Sequence, residues 1–499
     1  MINLIDLLET QQLPAESVTP AAYRVLGGPL ASVLACAAGT LLICYLFGER
    51  QRSDSEPPLV PGSRLFGNGP QFQANAVQFL LDARRKFGSL FTIRFPGHHI
   101  HMLMNPHSIG EFSRARSLDF APIHKQVTTN VFSFEMPDSH RMLRDASKAA
   151  RAALKDDVFR YQAFVDEGFD SKLAGLAEGQ WRTEMLDDFL ADTQFRAIFN
   201  SIFGRSDEHQ FNHRSARGLF ADIHASFNYV WLGFPVWMFP KTKKAWQTVH
   251  SAHPAPQELL DRDDCSVYIK SVMSTMMEKE QPVASMVGHN MVYLHVNYNT
   301  KKATYWAINN LLKDRQAYAA LQSEIDDAIN AKVGDSSEVA EFSSDEIDRL
   351  PLLDSFIKET FRLSSGVFMI RAVTEDTVLE VDGRSYLLRK GDKAAVYPPA
   401  LHRDPEMYDS PNDFRHDRFI DNEVTYEGKR VSKPILPYGV LCPAAVLIQF
   451  KWFMFAMLAR FQFRADEGGQ TAEYDFNSYG HEILPPVSDI PFNYAARDL

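Results

Sequence analysis

Cys442 stands immediately before a long apolar stretch, PAAVLIQFKWFMFAMLARF, which predicts a buried helix. At a helix N-terminus the negative charge of a thiolate is favoured by free backbone N–H groups and by the helix dipole. A thiolate is also a strong electron donor to iron. The position of Cys442 therefore indicates a metal ligand. The alternative is a buried free thiol, which is the more common state of an isolated cysteine.

Glu359 and Arg362 lie three residues apart in the segment PLLDSFIKETFRLSS. On a helix this spacing places both side chains on one face, where they can share a hydrogen-bonded ion pair. The spacing alone is weak evidence, because Glu/Arg pairs of this kind are common on solvated helix faces. The surrounding sequence therefore decides the interpretation.

Further segments of the chain carry recognisable patterns. They are the proline-rich PPLVPGSRLFG, the stretch YPPALHRDPEMYDSPNDFRHDRF with His-Arg-Asp-Pro at 402–405, the cysteine loop LPYGVLC and the terminal SYGHEILPP. Together with the Glu-x-x-Arg helix, these segments resemble the cytochromes P450 over nearly the whole chain. The resemblance implies a mainly α fold with small β-sheets. It also implies haem b (iron protoporphyrin IX) as the cofactor, with Cys442 as the axial ligand to the iron.

The resemblance also implies a third member for the ion pair. In that family an arginine of a Phe-x-x-x-Arg-Phe element, here Arg418, joins Glu359 and Arg362, and the triad fixes the loop beneath the haem. The arrangement is physically reasonable, because a guanidinium can engage a carboxylate through two parallel hydrogen bonds. His416 stands where the family usually has proline, but the arginine of the element is retained.

The loop before Cys442 departs from the family pattern. Tyr438 and Gly439 are predicted to contact the cofactor, but the loop is about three residues shorter than usual, and such loops need glycines for close backbone approach. Ala444 and Ala445 replace the expected glycine and basic residue. Two alternatives also explain the shortened loop. The protein could be a relative that binds no haem, or an exon boundary could be misplaced in the gene model.

His140 and Arg144 are four residues apart, a spacing at which a helix could present both side chains to a haem propionate. Family members often have tryptophan and arginine there. The alternative is that both are ordinary surface residues.

Asn299 and Thr300 are the predicted catalytic residues, in the segment LHVNYNTKKATYWAINNLL. This segment aligns with the helix that in the family supplies an acid and a threonine for dioxygen protonation, and here Tyr298 and Asn299 occupy those places. A phenol is a poor proton source at neutral pH compared with a carboxyl group. The Asn-Thr pair resembles the branch of the sterol 7α- and 12α-hydroxylases and prostacyclin synthase. Alternatively, both residues only satisfy helix carbonyls beside a bulge.

The elements that must position these residues follow from hydrophobic periodicity. An amphipathic helix ends at Gly88, before two strands of a hairpin in SLFTIRF and HIHMLM, and a second hairpin turns at Asp382 and Gly383. A short extended stretch follows Pro485. Helices are predicted at 79–87, 141–154, 185–203 and 286–312. The fold class is therefore mainly α with small β-sheets.

The N-terminal region contains an uncharged run at 25–47, long enough to cross a bilayer once as a helix. A cleaved signal peptide is the alternative. Acidic residues precede the run, and Arg50 and Arg52 follow it, which predicts a cytosolic catalytic body at the endoplasmic reticulum. The predicted organisation is a lumenal segment at 1–24, the anchor, a proline-rich linker at 48–62 and a catalytic domain at 63–499.

Composition and charge limit the partners. The formal net charge of -11 and pI near 5.8 argue against a nucleic-acid-binding protein. Four cysteines, two of them in the apolar run, give no disulfide framework. A dinucleotide fingerprint is absent, so a separate NADPH–cytochrome P450 reductase is expected to supply electrons. Lys429, Arg430, Lys433 and Lys451 could meet such an acidic partner, although charge clusters of this kind are more often simply solvated.

The predicted function is that of a haem-thiolate monooxygenase that oxidises a lipophilic substrate of the sterol, terpenoid or lipid type with dioxygen. Biosynthesis of secondary metabolites is one setting for such an enzyme. Two alternatives stay open at this point. A haem-dependent isomerase would act without external oxygen, and Tyr298 and Asn299 favour it; a non-catalytic haem-free relative is favoured by the short cysteine loop.

Overall fold

Helices make up most of the described structure. The computed structural model describes residues 39, 51–95, 97–132, 134–135, 154–206, 209–231, 234–333, 342–436, 444–478, 480 and 482–497. The helices are α1 (Gly69–Phe87), α2 (Ile109–Arg114), α3 (Ala121–Asn130), α4 (Leu154–Leu173), α5 (Leu186–Leu190), α6 (Arg196–Phe203), α7 (His213–His224), α8 (Phe227–Trp231), α9 (Pro240–Ala252), α10 (Pro256–Asp261), α11 (Val267–Glu278), α12 (Val283–Lys313), α13 (Arg315–Val333), α14 (Ser344–Ile347), α15 (Pro351–Ser364), α16 (Pro398–Leu401) and α17 (Ala444–Arg460).

The strands form small sheets. They are β1 (Leu90–Phe95), β2 (His98–Leu103), β3 (Leu118–Asp119), β4 (Arg182–Met185), β5 (Met369–Val373), β6 (Thr377–Val381), β7 (Arg384–Leu388), β8 (Lys393–Val396), β9 (Thr425–Tyr426), β10 (Lys429–Arg430), β11 (Phe461–Ala465) and β12 (Pro491–Ala496). A five-stranded sheet has the order β1-β2-β8-β5-β3, in which only β2 and β8 are parallel. A three-stranded sheet has the order β11-β12-β4. The predicted class, mainly α with small β-sheets, is confirmed.

Two hydrophobic cores hold these elements together. The larger one lies among the helices and includes the fully buried Trp306 of α12 and Trp452 of α17. The smaller one lies between α1 and the five-stranded sheet and includes Leu80, Phe91 and Met102. Buried aromatic rings of this size contribute much of the apolar area that stabilises a core.

Helix α12 passes through the larger core and packs against α15 and α17. Nearly all of its residues from Ser285 to Leu312 are buried, whichever side of the helix they occupy. A helix buried on every side would normally be apolar throughout. This helix instead carries buried polar side chains in its middle, which makes that part a candidate site.

The predicted elements can be compared with the structure one by one. The hairpin at Asp382 and Gly383 is confirmed, with φ of 54° and 70° as a two-residue turn of this kind requires. The helix predicted at 79–87 starts earlier, at Gly69, and Gly88 follows its end as expected. The helix predicted at 185–203 begins only after β4 and contains a π-helical turn at Ala191–Phe195.

Two predicted helical regions fall largely outside the described residues. Of the helix at 141–154, the structure describes only Leu154, where α4 begins. The anchor predicted at 25–47 is not described apart from Gly39. Of the helices that the structure describes, none combines the length and apolar character that a membrane crossing requires.

Candidate functional site

Glu359, Arg362 and Arg418 meet in a buried ion-pair cluster. The Arg362 guanidinium donates through Nε and Nη2 to the two carboxylate oxygens of Glu359, at 2.6 and 2.8 Å. Arg418 Nε donates to Glu359 Oε1 at 2.9 Å. The side chains of Glu359 and Arg362 are fully buried, and that of Arg418 is 7% exposed. Helix α15 thus joins a segment that lies 59 residues further along the chain.

The two guanidiniums use their remaining N–H groups to hold backbone carbonyls. Arg362 Nη1 donates to the carbonyl oxygens of His402 at 2.6 Å and Pro411 at 2.5 Å. Arg418 donates to the carbonyl oxygens of Asp409 at 2.7 Å and Asp413 at 2.9 Å. A buried guanidinium is stable only when its N–H groups have hydrogen-bond partners. Besides Glu359, these partners are carbonyl groups of the main chain. The cluster therefore fixes residues 402–413 against α15.

His402 extends this arrangement toward the cysteine loop. Its Nδ1 donates to the Arg362 carbonyl oxygen across 3.1 Å, and its Nε2 accepts from the backbone N–H of Leu436 across 3.0 Å. The Tyr408 hydroxyl donates to the Pro434 carbonyl oxygen at 2.8 Å. Because an imidazole that accepts at Nε2 must be neutral, the network defines the tautomer of His402. The chain is thus anchored immediately before residues 437–443.

The neutral state of His402 predicts a loss of stability in acid. Burial, together with the charges of the neighbouring Arg362 and Arg403, lowers the pKa of His402 to about 3. The folded protein binds this proton less tightly than the unfolded chain does. The contribution of neutral His402 to the free energy of unfolding is therefore complete above pH 6.5, its ordinary pKa. This contribution is lost as the pH falls from 6.5 through about 3. We expect this group to contribute a slope of about 1.4 kcal/mol per pH unit within that window.

Urea unfolding between pH 4 and pH 7 measures this slope. The variant His402→Gln should show a shallower dependence of the unfolding free energy on pH. His209→Gln is the matched control, because the His209 side chain is exposed. Equal slopes for wild type and His402→Gln would contradict the assignment.

Arg403 lies next to this network and is also buried. It donates to the Leu363 carbonyl oxygen and lies over the rings of Tyr474 and Phe476. Burial lowers its pKa to about 10, although the guanidinium stays charged at neutral pH. Its Nη1 has no hydrogen-bond partner within the described part of the chain. Unsatisfied buried donors are rare, so this atom is a candidate contact for a bound water or ligand.

Asn299 and Thr300, the predicted catalytic residues, are buried in the middle of α12. Asn299 Nδ2 donates to Glu482 Oε2 at 3.0 Å and to the His295 carbonyl oxygen at 3.3 Å. Within the described residues, Asn299 Oδ1 and Thr300 Oγ1 have no hydrogen-bond partner. The alternative was that both side chains only hydrogen-bond to helix carbonyls. It explains the bond from Asn299 to His295, but it does not explain the Thr300 hydroxyl, which makes no such bond.

The next residue of α12, Lys301, is a buried cation with a different role. Its ammonium contacts the carboxylate of Asp187, at the start of α5, and Arg217 of α7 donates to the other oxygen of the same carboxylate at 2.6 Å. These two cations hold the pKa of Asp187 below its ordinary value against the opposing effect of burial. Lys301 thus ties α12 to two neighbouring helices.

The other predicted site residues lie outside the described residues. These are the proposed axial ligand Cys442, the loop residues Tyr438 and Gly439, and the propionate contacts His140 and Arg144. Their contacts stay predictions. On either side of 437–443, Leu436 is held by His402 and the described chain resumes with α17.

One charged residue was placed incorrectly from the sequence. Lys451 was grouped with surface cations that could meet a reductase, but it is 5% exposed. Its ammonium lies 2.8 Å from Asp348 and 2.7 Å from Asp354. It follows that Lys451 pairs α17 with two neighbouring segments, whereas Lys429, Arg430 and Lys433 are exposed.

Two further residues of this region were not singled out from the sequence. The His-Arg-Asp-Pro stretch was recognised as a pattern, but the anchoring contact of His402 with residue 436 follows only from the fold. Glu482 is part of the quoted terminal segment SYGHEILPP, but nothing in that segment predicts its contact with α12. A carboxylate directly before the apolar residues Ile483 and Leu484 was the available signal.

A helical fold whose buried triad fixes the chain leading to a cysteine loop is the arrangement expected of a haem-thiolate protein. The family model described as cytochrome P450 matches residues 297–484. Cytochrome P450 7A1 of Sus scrofa is 27% identical, over 95% of this chain and 99% of that protein. 5-beta-cholestane-3-alpha,7-alpha-diol 12-alpha-hydroxylase of Sus scrofa is 26% identical, over 95% and 99%.

A third relative, cholesterol 7-alpha-monooxygenase of Cricetulus griseus, is 26% identical over 92% of this chain and 97% of that protein. Through these relatives, the resemblance to the cytochromes P450 extends over nearly the whole chain. The family prediction from the motifs, including its link to the sterol hydroxylases, is therefore confirmed. So is the prediction of a P450-type oxidoreductase, since these relatives carry the names of hydroxylases and monooxygenases.

The described residues fit a bound haem. The buried oxygen atoms of Asn299 and Thr300 lack partners among them, as expected for the side of a helix that faces a ligand or ordered water. His402 and the triad fix the chain that enters the cysteine loop, which would carry the ligand. A single thiolate ligand needs no cluster of protein ligands, because the porphyrin supplies the other donors.

Proposed function

We propose that this protein is a haem-thiolate monooxygenase that inserts one oxygen atom into a lipophilic substrate of the sterol, terpenoid or lipid type. In balance, substrate, O2, NADPH and one proton give the hydroxylated product, water and NADP+. The observation that carries the proposal is the Glu359–Arg362–Arg418 cluster with His402, which anchors the chain before the cysteine loop. The names of the curated relatives support an oxygenated sterol or a similar lipid as the substrate.

Each predicted residue has a part in this proposal. Haem, when bound, supplies the iron at which dioxygen is activated. Cys442 would ligate that iron, and Tyr438 and Gly439 would lie against the porphyrin. His140 and Arg144 would hold its propionates, since paired N–H donors suit carboxylates. Asn299 and Thr300 would position the reacting oxygen from α12.

Incorporation of 18O from 18O2 tests the proposal. The full-length protein, reconstituted with NADPH–cytochrome P450 reductase, is incubated with cholesterol and with 5β-cholestane-3α,7α-diol. The expected result is a product that carries one 18O atom and whose formation requires NADPH. Conversion that proceeds without oxygen and NADPH would favour the isomerase, and folded protein that takes up no haem would favour the haem-free relative.

The proposed location is the endoplasmic reticulum membrane, with 25–47 as the anchor, 48–62 as the linker and 63–499 as the catalytic domain. A described surface supports contact with a bilayer. The α8–α9 patch consists of Tyr229, Phe234, Trp237 and Met238, which are 55%, 47%, 68% and 48% exposed. Exposed Lys241, Lys243 and Lys244 follow at the start of α9. Apolar side chains beside lysines suit an anionic lipid surface.

Vesicle binding of a chain that begins at residue 49 tests the patch. Substitution of both Trp237→Ser and Met238→Ser should weaken binding to vesicles of phosphatidylcholine and phosphatidylserine by about 10-fold or more, because two apolar side chains leave the lipid. Val378→Ser is the matched control, since Val378 is 60% exposed and lies on the β6–β7 hairpin. Unchanged binding of the double variant would remove the patch from the proposal.

The proposed electron donor is NADPH–cytochrome P450 reductase. Lys429, Arg430 and Lys433 supply an exposed basic surface close to the chain that leads to the cysteine loop. Charge complementarity of this kind raises association rates and is weakened by salt. A role in secondary metabolism stays a prediction.

A further inference from the structure

Ser432 is an exposed serine in the basic segment KRVSK, which spans 429–433. Lys429 and Arg430 stand three and two positions before it, and Lys433 follows it directly. Serine kinases select their substrates in part by charge complementarity, and those with an acidic substrate groove prefer basic residues at these two preceding positions. The charge pattern of the basic segment therefore matches a basophilic serine kinase.

The fold distinguishes Ser432 from a second match to the same charge pattern. Lys301 and Lys302 stand three and two positions before Thr304. The Thr304 side chain, however, is fully buried in α12 and donates to the Thr300 carbonyl oxygen at 3.0 Å. A kinase cannot reach that hydroxyl in the folded protein, whereas the Ser432 side chain is exposed to solvent. Of these two matches, only Ser432 is accessible.

The backbone around Ser432 is held by few contacts. Strands β9 and β10 form a separate two-stranded sheet, and Val431 N–H donates to the Val424 carbonyl oxygen at 2.9 Å. Val431 is buried while Arg430 and Ser432 are exposed, which is the alternation of an extended chain. A hairpin of this size is marginally stable, so the segment can open locally while the rest stays folded. An extended peptide of this kind suits a substrate groove.

The charges next to Ser432 would interact strongly with a phosphate. Arg430 Nη1 lies 3.1 Å from Glu423, and both side chains are largely exposed, so this pair can exchange partners at little cost. Lys429 and Lys433 are exposed as well. A phosphoserine carries about −1.5 to −2 charges at pH 7. A phosphate on Ser432 would therefore neutralise most of the positive charge of the basic segment.

Ser432 is also close, along the chain, to the anchored residues before the cysteine loop. The Tyr408 hydroxyl donates to the Pro434 carbonyl oxygen at 2.8 Å, and the Leu436 N–H donates to His402 Nε2 at 3.0 Å. Neither of these two hydrogen bonds uses a residue of the basic segment. A charge added at Ser432 therefore changes the electrostatics of this surface, whereas the contacts that hold the chain before the loop are retained.

We propose that Ser432 is a phosphorylation site for a basophilic serine kinase and that the phosphate weakens binding of the reductase; the second part rests on the proposed function. In the transfer, Ser432 Oγ forms a bond to the γ-phosphorus of ATP, and the bond from that phosphorus to the bridging oxygen of ADP breaks. The serine proton passes to the base of the kinase. The added negative charge then opposes an acidic partner at a surface whose cations otherwise attract it.

The first experiment tests the modification itself and needs no turnover. Full-length haem-loaded protein is incubated with MgATP and the catalytic subunit of cyclic-AMP-dependent protein kinase, and phosphopeptides are quantified by mass spectrometry. We expect one phosphate per chain, on Ser432. Arg430→Gln should slow its incorporation by about 10-fold, because one charge contact with the kinase is lost.

Two further variants are the controls for this experiment. Ser432→Ala should lose the phosphate, and Ser53→Ala should keep it. Ser53 is a matched serine because it is also exposed and follows an arginine, but the Arg52 guanidinium donates to the Pro57 carbonyl oxygen at 2.6 Å. A wild-type protein that acquires no phosphate on Ser432 would overturn the proposal.

The second experiment measures the dissociation constant of the reductase by biolayer interferometry. At low salt, phosphorylation of Ser432 should raise this constant by about 5-fold or more, and Ser432→Glu should raise it less, because glutamate carries a smaller charge. Both effects should shrink at about 0.5 M salt. Ser251→Glu is the control, since Ser251 is an exposed serine of α9. An unchanged constant after phosphorylation, or an equal change in both glutamate variants, would overturn the effect on the reductase.

These measurements separate failure of this inference from failure of the proposed function. Phosphate on Ser432 in a protein that incorporates no 18O would contradict the monooxygenase and support the modification site. A wild type that incorporates 18O but acquires no phosphate on Ser432 would leave the function intact and reject the site. The haem content of the phosphorylated protein should equal that of the unmodified protein, because the contacts of Tyr408 and His402 are retained.

Discussion

Cys442→Ser is expected to abolish the thiolate spectrum of the reduced, carbon-monoxide-bound protein and to remove monooxygenase turnover. A serine hydroxyl cannot provide the electron-donating sulfur that this ligation requires, and it stays protonated at neutral pH. The measurement is the absorption spectrum of the purified full-length variant, with haem content determined separately. The expected loss is essentially complete, because no other group in the cysteine loop can replace the sulfur.

The chain offers a matched control for this substitution. Cys265 is buried, and its thiol donates to the Ile202 carbonyl oxygen across 3.3 Å. Burial raises its pKa to about 11, so this cysteine stays a thiol and is a poor ligand. Cys265→Ser should therefore retain the full spectrum. A Cys442→Ser protein with normal pigment and turnover would refute the assignment of the axial ligand.

Glu359→Gln is expected to lower the free energy of unfolding by about 3–5 kcal/mol, the usual cost of removing one partner from a buried ion pair. Glutamine has nearly the same shape, but it leaves the Arg362 and Arg418 guanidiniums buried without a counter-charge. Urea unfolding followed by tryptophan fluorescence measures the change. Haem retention should fall as well, because the segment 402–413 loses its attachment to α15.

The control for this prediction is an exposed ion pair of the same residue types. Arg430 Nη1 lies 3.1 Å from Glu423, with side chains that are 72% and 60% exposed. Glu423→Gln should change the unfolding free energy by less than about 1 kcal/mol, since solvent screens such pairs. If the two variants were equally stable, the buried triad could not be the element that fixes this part of the chain.

Much of the fold could be predicted because it follows from local sequence. The hairpin at Asp382 and Gly383 needs only two residues that tolerate positive φ between alternating strands. Helix α12 was predicted within a few residues of its ends. The association of Glu359 and Arg362 follows from their spacing on one helix, whereas Arg418 could be added only through the resemblance to a family.

The contacts that could not be predicted depend on segments far apart in the chain. Glu482 and Asn299 are separated by 183 residues, and no periodicity records which segment will cover a buried helix face. Lys451 has the composition of a surface cation, but its two aspartate partners lie about 100 residues earlier in the chain. The π-helical turn at Ala191–Phe195 was missed because hydrophobic periodicity does not register a single added residue.

The pairing of β4 with β12 has a consequence for the order in which the protein matures. β4 (Arg182–Met185) is hydrogen-bonded to β12 (Pro491–Ala496), more than 300 residues later in the chain. The face of α12 that carries Asn299 and Trp306 is covered by Tyr474, Glu482 and Leu484. Such long-range pairings form late, because a long loop must close first. The helical core, which also contains α17 (Ala444–Arg460), therefore stays open on the ribosome until these late segments have been made. During that interval its apolar surfaces depend on chaperones for protection from aggregation.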